Sequence, residues 1–387
     1  MSIKANWNYP TAVRIGAGRI AELPQAARAA GMTKPLLVTD ESLAALPITT
    51  RTMDILKADG LNPGIFSGVR ANPTDENLEA GLKVYREGGY DGVVAFGGGS
   101  GLDLAKCIAF MSGQKRPVWD FEDIGDWWTR ADPAGIAPVV AVPTTAGTGS
   151  EVGRAGVITD TKQHVKKVIF HPKMMPVTVI CDPELTVGMP PFITAGTGLD
   201  AFAHCLEAYC APGYHPLAEG IAIEGMRLVK ENLPRVYKSP DDLDARANMM
   251  SAAAMGATAF QKGLGGVHAL THPIGALYDT HHGMTTAVTM PGVLIGNRKA
   301  IEQRVKRLAD YLAIAGGFDG FFAWILALQD QLNVPKSLTA YKVPREGFDK
   351  IVEMAIVDPT ASGNPIPLTK ELASEMLARD FEGDYRR

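Results

Sequence analysis

The residues best equipped for chemistry lie in the second half of the chain. Asp200 and His204 stand four apart in T-G-L-D-A-F-A-H, and His268, His272, His281 and His282 follow in V-H-A-L-T-H-P-I-G-A-L-Y-D-T-H-H-G. Residues at i and i+4 of a helix share a face, so Asp200 and His204 make one facing pair and His268 and His272 a second. One carboxylate and three imidazoles are enough to hold one divalent cation. Asp200, His204, His268 and His282 make up such a set, with His282 arriving from a loop beside Gly283. Oxygen and nitrogen donors without thiolate suit Fe(II) or a similar ion, and Zn(II) accepts the same four groups. Such an ion polarises a substrate oxygen. His164, His171 and His215 stand apart and read as ordinary surface or core histidines.

Upstream lie two loops built for a second, anionic ligand. Residues 92–96 (G-V-V-A-F) read as a buried strand running into Gly97-Gly98-Gly99-Ser100, with a helix over 102–111. Glycines let the backbone approach an anion closely, and the N–H groups and dipole of the helix start favour negative charge. Asp103 falls in the first turn of that helix. A second strand, 138–142, runs into P-T-T-A-G-T-G-S-E, where Thr144, Thr145 and Thr148 offer hydroxyls to a ribose, pyrophosphate or carboxamide. Two such loops at successive strand ends place one ligand across the C-terminal edge of a parallel sheet. Asp40 closes a further apolar run, P-L-L-V-T. A carboxylate there binds ribose hydroxyls and repels a 2′-phosphate, which favours NAD over NADP. A glycine turn or a plain helix cap is the alternative at each of these positions.

The elements that carry these groups change character along the chain. Strand-like runs at 35–39, 64–66, 92–96, 138–142 and 177–181 alternate with helical spacing at 50–58, 76–87 and 102–111. That alternation implies a parallel sheet covered by helices. Beyond about residue 190, helical segments dominate: 195–209, 216–232, 245–260, 267–278 and 301–312. The expected organisation is an α/β dinucleotide-binding domain over 1–188 and an all-α metal- and substrate-binding domain over 189–387. A chain of 387 residues exceeds one typical core, as two domains require. Phe121, Ile124, Trp127 and Trp128 precede the second loop and suit either a cleft wall or a subunit interface.

Composition narrows the partners. Lys and Arg number 38 against 42 Asp and Glu, a net charge of −4 without a basic stripe, which argues against nucleic acid. Cys107, Cys181, Cys205 and Cys210 form no C-x-x-C pair and read as reduced thiols. The N-terminal sequence lacks an apolar targeting core, and no apolar run is long enough to span a membrane. A cytoplasmic enzyme acting on a small molecule is the expectation.

The motifs in order are V-T-D-E-S-L, G-G-G-S-G-L-D-L-A-K, P-T-T-A-G-T-G-S-E-V, G-L-D-A-F-A-H-C-L-E-A-Y, H-A-L-T-H-P-I-G-A-L-Y-D-T-H-H-G and S-G-N-P-I-P-L-T. Together they resemble the iron-dependent (group III) alcohol dehydrogenase family over nearly the whole chain. The resemblance implies the dehydroquinate synthase-like architecture, with a cleft between an N-terminal dinucleotide-binding domain and a C-terminal helical one. It implies Asp200, His204, His268 and His282 as metal ligands and gives His272 the relay of a proton. It implies Asp40, Gly98, Gly99, Ser100, Asp103, Thr144, Thr145, Thr148 and Lys166 as cofactor contacts. It also implies Fe(II) with Zn(II) as the alternative ion, NAD, a homodimer or higher homo-oligomer, and reversible hydride transfer from a small primary or secondary alcohol or hydroxy acid. A zinc-dependent glycerol-dehydrogenase-like enzyme and a dehydroquinate-synthase-like lyase are the alternatives. One segment departs from the family: F-Q-K-G-L-G-G-V-H is a residue shorter than usual, and Lys262 stands where relatives carry small neutral residues. Phe260 and Lys262 are therefore the candidate substrate-facing residues, Lys262 for a carboxylate or other anion. A solvated helix-end lysine is the alternative.

Overall fold

The computed structural model describes residues 11–163 and 165–385, so His164 lies outside the described residues. The chain divides into two compact units, Tyr9–Gly188 and Met189–Arg387.

In the first unit, apolar runs buried on both faces form the centre of a sheet, as parallel strands require. Strands β1 (Ala12–Ile15), β2 (Pro35–Asp40), β3 (Gly64–Val69), β4 (Gly92–Gly97), β5 (Val139–Pro143) and β8 (Thr178–Cys181) pair in the order β1-β8-β5-β4-β2-β3, all parallel. Helices α1 (Leu23–Ala29), α2 (Glu41–Ala44), α3 (Pro47–Ala58), α4 (Asp75–Gly88) and α5 (Gly99–Met111) connect them. Leu37, Val94, Phe96, Val140 and Ile180 meet Ile20 and Leu23 in the core. The register of β4 on β5 sets Gly97 beside Pro143. The two loops that follow these strands therefore leave the sheet side by side.

Two features of this unit depart from expectation. The edge strand β1 is only four residues long and largely exposed, with Arg14 interrupting its apolar run. An antiparallel hairpin, β6 (Ala155–Asp160) and β7 (Val165–Phe170), follows the second loop. Its lysines and half-buried alternation mask it among loop residues. The aromatic segment before the second loop packs within the same unit. Phe121 is buried edge-on against Phe110 at 5.0 Å, and Trp128 meets Phe170 at 6.4 Å.

The second unit is helical: α6 (Pro191–Cys210), α7 (Pro216–Lys238), α8 (Leu243–Ala259), α9 (Gly266–Tyr278), α10 (His282–Tyr311), α11 (Gly317–Gln331), α12 (Phe348–Ala355) and α13 (Lys370–Glu382). Helix α6 is buried continuously from Thr194 to Cys210, which makes it the centre of the unit. The helix expected at 301–312 is only the end of the 30-residue α10. Pro291 hides that continuity. Proline cannot donate to the carbonyl four residues back, but Gln329 Nε2 of α11 donates to Ala287 O at 2.7 Å in its place. The next N–H, of Gly292, donates to Asp380 Oδ1 of α13 at 2.8 Å. Two neighbouring helices thus take the groups that the proline displaces. Among the described residues, no helix is long and apolar enough to cross a membrane.

Candidate active site

Asp200 and His204 lie one turn apart on α6, 1% and 4% exposed, and His268 comes from the first turn of α9, 1% exposed. One ligand atom from each of the three lies within 4.8 Å of the others. The rings of His204 and His268 stack at 4.6 Å. His282 approaches the same carboxylate, its Nε2 3.5 Å from Asp200 Oδ1, while His268 Nε2 lies 3.7 Å from that oxygen. His282 comes from the first turn of α10 and not from a loop. Its neighbour His281 is the N-cap of that helix, with Nδ1 accepting from Met284 N at 3.2 Å. Close backbone packing brings α10 in: a Cβ on Gly283 would run into the carbonyl oxygen of Gly196 on α6.

The electrostatics of the cluster fit a cation. Burial alone would push the Asp200 carboxyl up, but the imidazoles of His204, His282 and His268 outweigh it and hold the group well below the usual carboxylate range. Burial opposes a charge on His268, yet Glu207 and Asp200 raise it to about 10. Asp200 Oδ1 and His268 Nε2 are buried and make no hydrogen bond. Buried polar atoms are normally paired. Two that face each other among further imidazoles form a donor set suited to a divalent ion.

Other histidines are placed differently. His272, a turn beyond His268, brings Nδ1 to 2.9 Å from Asp358 Oδ2 and stacks on the ring of His282 at 5.7 Å. Burial would raise the carboxyl of Asp358, but His272 and Thr360 hold it down. His171 and His215 are helix caps, accepting from Lys173 N at 3.0 Å and Ala218 N at 3.2 Å.

In the α/β unit, the two loops pack glycine against threonine. A Cβ on Gly98 would meet Thr145 Cγ2 at 3.2 Å, and one on Gly99 would meet Thr148 Cγ2 at 2.5 Å. Gly98 is the N-cap of α5, so the free N–H groups of the helix start open beside the threonines. Thr144 Oγ1 is buried without a hydrogen-bond partner, and Thr144 N donates to Gly97 O at 2.9 Å. Asp40 closes β2 and accepts from Leu43 N at 2.9 Å through Oδ1, as a cap of α2. Ser100 Oγ donates to Ala71 O at 2.5 Å. Lys166 stands on β7 across from Thr159.

Known proteins resolve the class of this arrangement. The iron-containing alcohol dehydrogenase family model matches residues 10–183, and that of the family's C-terminal region matches residues 194–381. The chain belongs to the iron-containing alcohol dehydrogenase family. It is 38% identical to the 4-hydroxybutyrate dehydrogenase of Cupriavidus necator over 98% of this chain and 97% of that protein. It is 31% identical to the NAD-dependent methanol dehydrogenase of Bacillus methanolicus over 96% of this chain and 98% of that one. A crystal structure of 1,3-propanediol oxidoreductase superposes with a TM-score of 0.92 at 32% identity, covering 97% of this chain and all of that one (100%). The chain is thus an NAD-linked alcohol dehydrogenase of the iron-containing class, with iron and NAD as cofactors. These relatives do not favour the glycerol-dehydrogenase or lyase alternatives.

For this iron-containing alcohol dehydrogenase, two expected contacts have other duties in the fold. Both carboxylate oxygens of Asp103 are engaged within the protein. Oδ1 accepts from Ser150 Oγ, and Oδ2 accepts from Val157 N at 3.0 Å. The buried Lys106 ammonium lies 3.3 Å from Asp103 and also donates to Ser150 O at 3.0 Å and to Ala155 O. Asp103 therefore ties the second loop and the hairpin to α5. Lys262 is neither solvated nor open to an anion. Its side chain is 2% exposed, with Nζ 2.8 Å from Glu219 Oε1 and 3.2 Å from Tyr209 O at the C-terminal end of α6. Phe260 packs on His204 with ring centroids 5.2 Å apart.

Three residues beside the cluster escaped the sequence reading. Glu207 contacts His268, Asp358 contacts His272, and Asn364 accepts from Gly266 N at 3.0 Å at the start of α9. Glu207 was within reach of pattern: Asp200, His204 and Glu207 fall at i, i+4 and i+7 of one helix. Asp358 and Asn364 come from the segment after α12, where no local periodicity links them to histidines some ninety residues earlier.

Proposed function

We propose that the enzyme oxidises short primary alcohols bearing a second polar group, hydroxy acids and diols, reversibly to aldehydes. Asp200, His204, His268 and His282 would hold Fe(II), with Zn(II) as the alternative ion. Asp40, Gly98, Gly99, Ser100, Thr144, Thr145, Thr148 and Lys166 would surround NAD, the α/β unit serving as the dinucleotide domain. The buried meeting of Asp200, His204 and His268, with His282 Nε2 3.5 Å from Asp200 Oδ1, is the observation that carries the reading. The substrate class is supported by the two relatives named for 4-hydroxybutyrate and 1,3-propanediol.

When bound, the divalent ion supplies Lewis acidity toward an alcohol oxygen and NAD supplies the hydride acceptor. The protein's own groups do the rest. Phe260, against His204, gives the alcohol carbon an apolar wall. His272 hydrogen-bonded through Nδ1 to Asp358 keeps Nε2 free to take the hydroxyl proton and pass it on. Four free thiols, all buried, suit a reducing cytoplasm. A homo-oligomer, which a native mass measurement tests, completes the proposal.

The deciding assay uses enzyme reconstituted anaerobically with Fe(II) and supplied with NAD and 4-hydroxybutyrate, 1,3-propanediol or 1-butanol. NADH should accumulate, and kcat/KM for a polar-ended alcohol should exceed that for 1-butanol by about tenfold, the worth of one hydrogen bond. A preference for 1-butanol would refute the substrate class. Failure to accumulate NADH with any alcohol would refute the reaction.

A further inference from the structure

Helix α9 carries His268 and His272 yet starts without a cap of its own. Gly265 precedes it and offers no side chain, while the first N–H groups of any helix need partners. Two side chains from distant segments supply them. Asn364 Oδ1 accepts from Gly266 N at 3.0 Å, and Glu207 Oε1 accepts from Val267 N at 2.7 Å. Asn364 is itself held by reciprocal 2.8 Å hydrogen bonds with Asn297. Glu207 does more than cap. Its second oxygen, Oε2, lies 2.5 Å from His268 Nδ1, and the residue is 7% exposed.

A carboxylate accepts and does not donate, so the hydrogen in that contact sits on Nδ1 and Nε2 is the nitrogen left to a metal ion. Nε2 is the atom that faces Asp200 Oδ1. We propose that Glu207 is a positioning residue of the metal centre: it locks His268 as an Nε2 donor and fixes the start of α9, whereas Asn364 does only the second. The proposal rests on the assignment of Asp200, His204, His268 and His282 as the ligand set. A carboxylate behind a ligating imidazole orients the ring and strengthens it as a donor, and its loss costs ~10–100-fold in metal affinity. Glu207 also adds a second negative charge beside Asp200, matching a divalent ion.

The test compares full-length wild type, Glu207→Gln, Asn364→Ala and His268→Ala. Each is stripped of metal, melted, and titrated with Zn(II) against a chromophoric chelator. Gln keeps the volume of Glu207 and one hydrogen bond but cannot accept from both Val267 N and His268 Nδ1 without turning its amide against one of them. Glu207→Gln should weaken Zn(II) binding ~10–100-fold while the metal-free protein melts near wild type. Excess Zn(II) should restore the metal-dependent rise in melting temperature. Asn364→Ala should lower the metal-free melting temperature and change Zn(II) affinity less than Glu207→Gln does. Glu207→Asp, which keeps the charge on a shorter arm, should fall between wild type and Gln, and it carries the test if the Gln variant does not fold. Wild-type affinity in Glu207→Gln, or a loss no larger than that of Asn364→Ala, would overturn the proposal. Equal Zn(II) binding by wild type and His268→Ala would instead overturn the ligand assignment on which it rests.

Discussion

The two candidate sites, one in each unit, are positioned by different means. In the α/β unit, backbone sets the geometry. The register of β4 on β5 levels the two loops, and glycines let threonines approach the helix start. In the helical unit, side chains from remote segments do it, with Glu207, Asp358 and Asn364 each reaching the turns that bear histidines. The difference follows from the ligands. A dinucleotide phosphate is met by N–H groups that any residue supplies, so shape matters more than side-chain identity. A metal ion needs particular atoms at particular orientations, and a flexible imidazole must be held from behind.

The contrast predicts where damage stays local. His268→Ala should have the largest effect. On the proposed ligand set it removes one donor and leaves Glu207 and Asp200 facing a gap, so kcat/KM should fall by about 10³-fold or more, as loss of several kcal/mol of metal stabilisation requires. Metal should be lost with it, while NAD affinity, measured by fluorescence titration, stays near wild type. A variant that loses NAD and metal together would mean that the two sites are not separable.

Glycine substitutions sharpen the same comparison. At Gly283 an added Cβ meets the backbone of Gly196, which cannot step aside. Gly283→Ala should destabilise the protein by about 1–3 kcal/mol and weaken metal binding through displacement of His282. At Gly99 the added Cβ meets only the side chain of Thr148. Gly99→Ala should weaken NAD binding by about tenfold, 1.4 kcal/mol, without affecting metal. Adding Thr148→Ser, which deletes the methyl, should recover much of that loss. No recovery would show that the strain lies in the backbone.

The same division governed what could be read from sequence. Strands β2, β4 and β5 and the two glycine loops are local patterns of apolar runs and turn residues, and they appear where expected. Asp200 and His204 were legible because one helical turn spaces them. The hairpin β6–β7 was not, since its half-buried alternation includes Lys166 and Lys167. Helix α10 was legible only from residue 301, since the compensation at Pro291 comes from Gln329 and Asp380, residues that no local window connects. Asp103 and Lys262 show the converse. Their types suit a ligand, but only the folded chain shows that Ser150, Val157 and Glu219 already occupy them.

Asp380 offers a smaller effect, read through pH. It is fully buried behind Gly292, and burial raises its carboxyl well above the ordinary value, with the Gly292 N–H and Tyr385 opposing. The folded state then holds the proton more tightly than the unfolded chain. Its stabilising contribution is complete below the ordinary carboxylate pKa of about 4 and is lost as pH rises toward the folded-state value, at no more than ~1.4 kcal/mol per unit. Asp380→Asn removes that proton while keeping an oxygen for Gly292. Its melting temperature should fall less than wild type's between mildly acidic and mildly alkaline buffers. Parallel curves would show that Asp380 does not titrate with unfolding.

The smallest expected effect concerns substrate choice. A lysine beside the ligand-bearing helices invites the inference that it selects an anionic substrate, but Lys262 already neutralises Glu219, and Arg304 shares that carboxylate at 3.1 Å. Replacing it with methionine preserves the buried stem and leaves Glu219 one cation, so stability should fall by about 1 kcal/mol or less for this partly exposed acceptor. The ratio of kcat/KM for 4-hydroxybutyrate to that for 1-butanol should not change beyond twofold or so, since a charge committed within the protein contributes little to discrimination between bound substrates. A selective loss on 4-hydroxybutyrate would mean that Lys262 exchanges Glu219 for the substrate carboxylate. Arg304 would then have to hold Glu219 alone, and a double replacement of Lys262 and Arg304 would fall well below the sum of the two single effects.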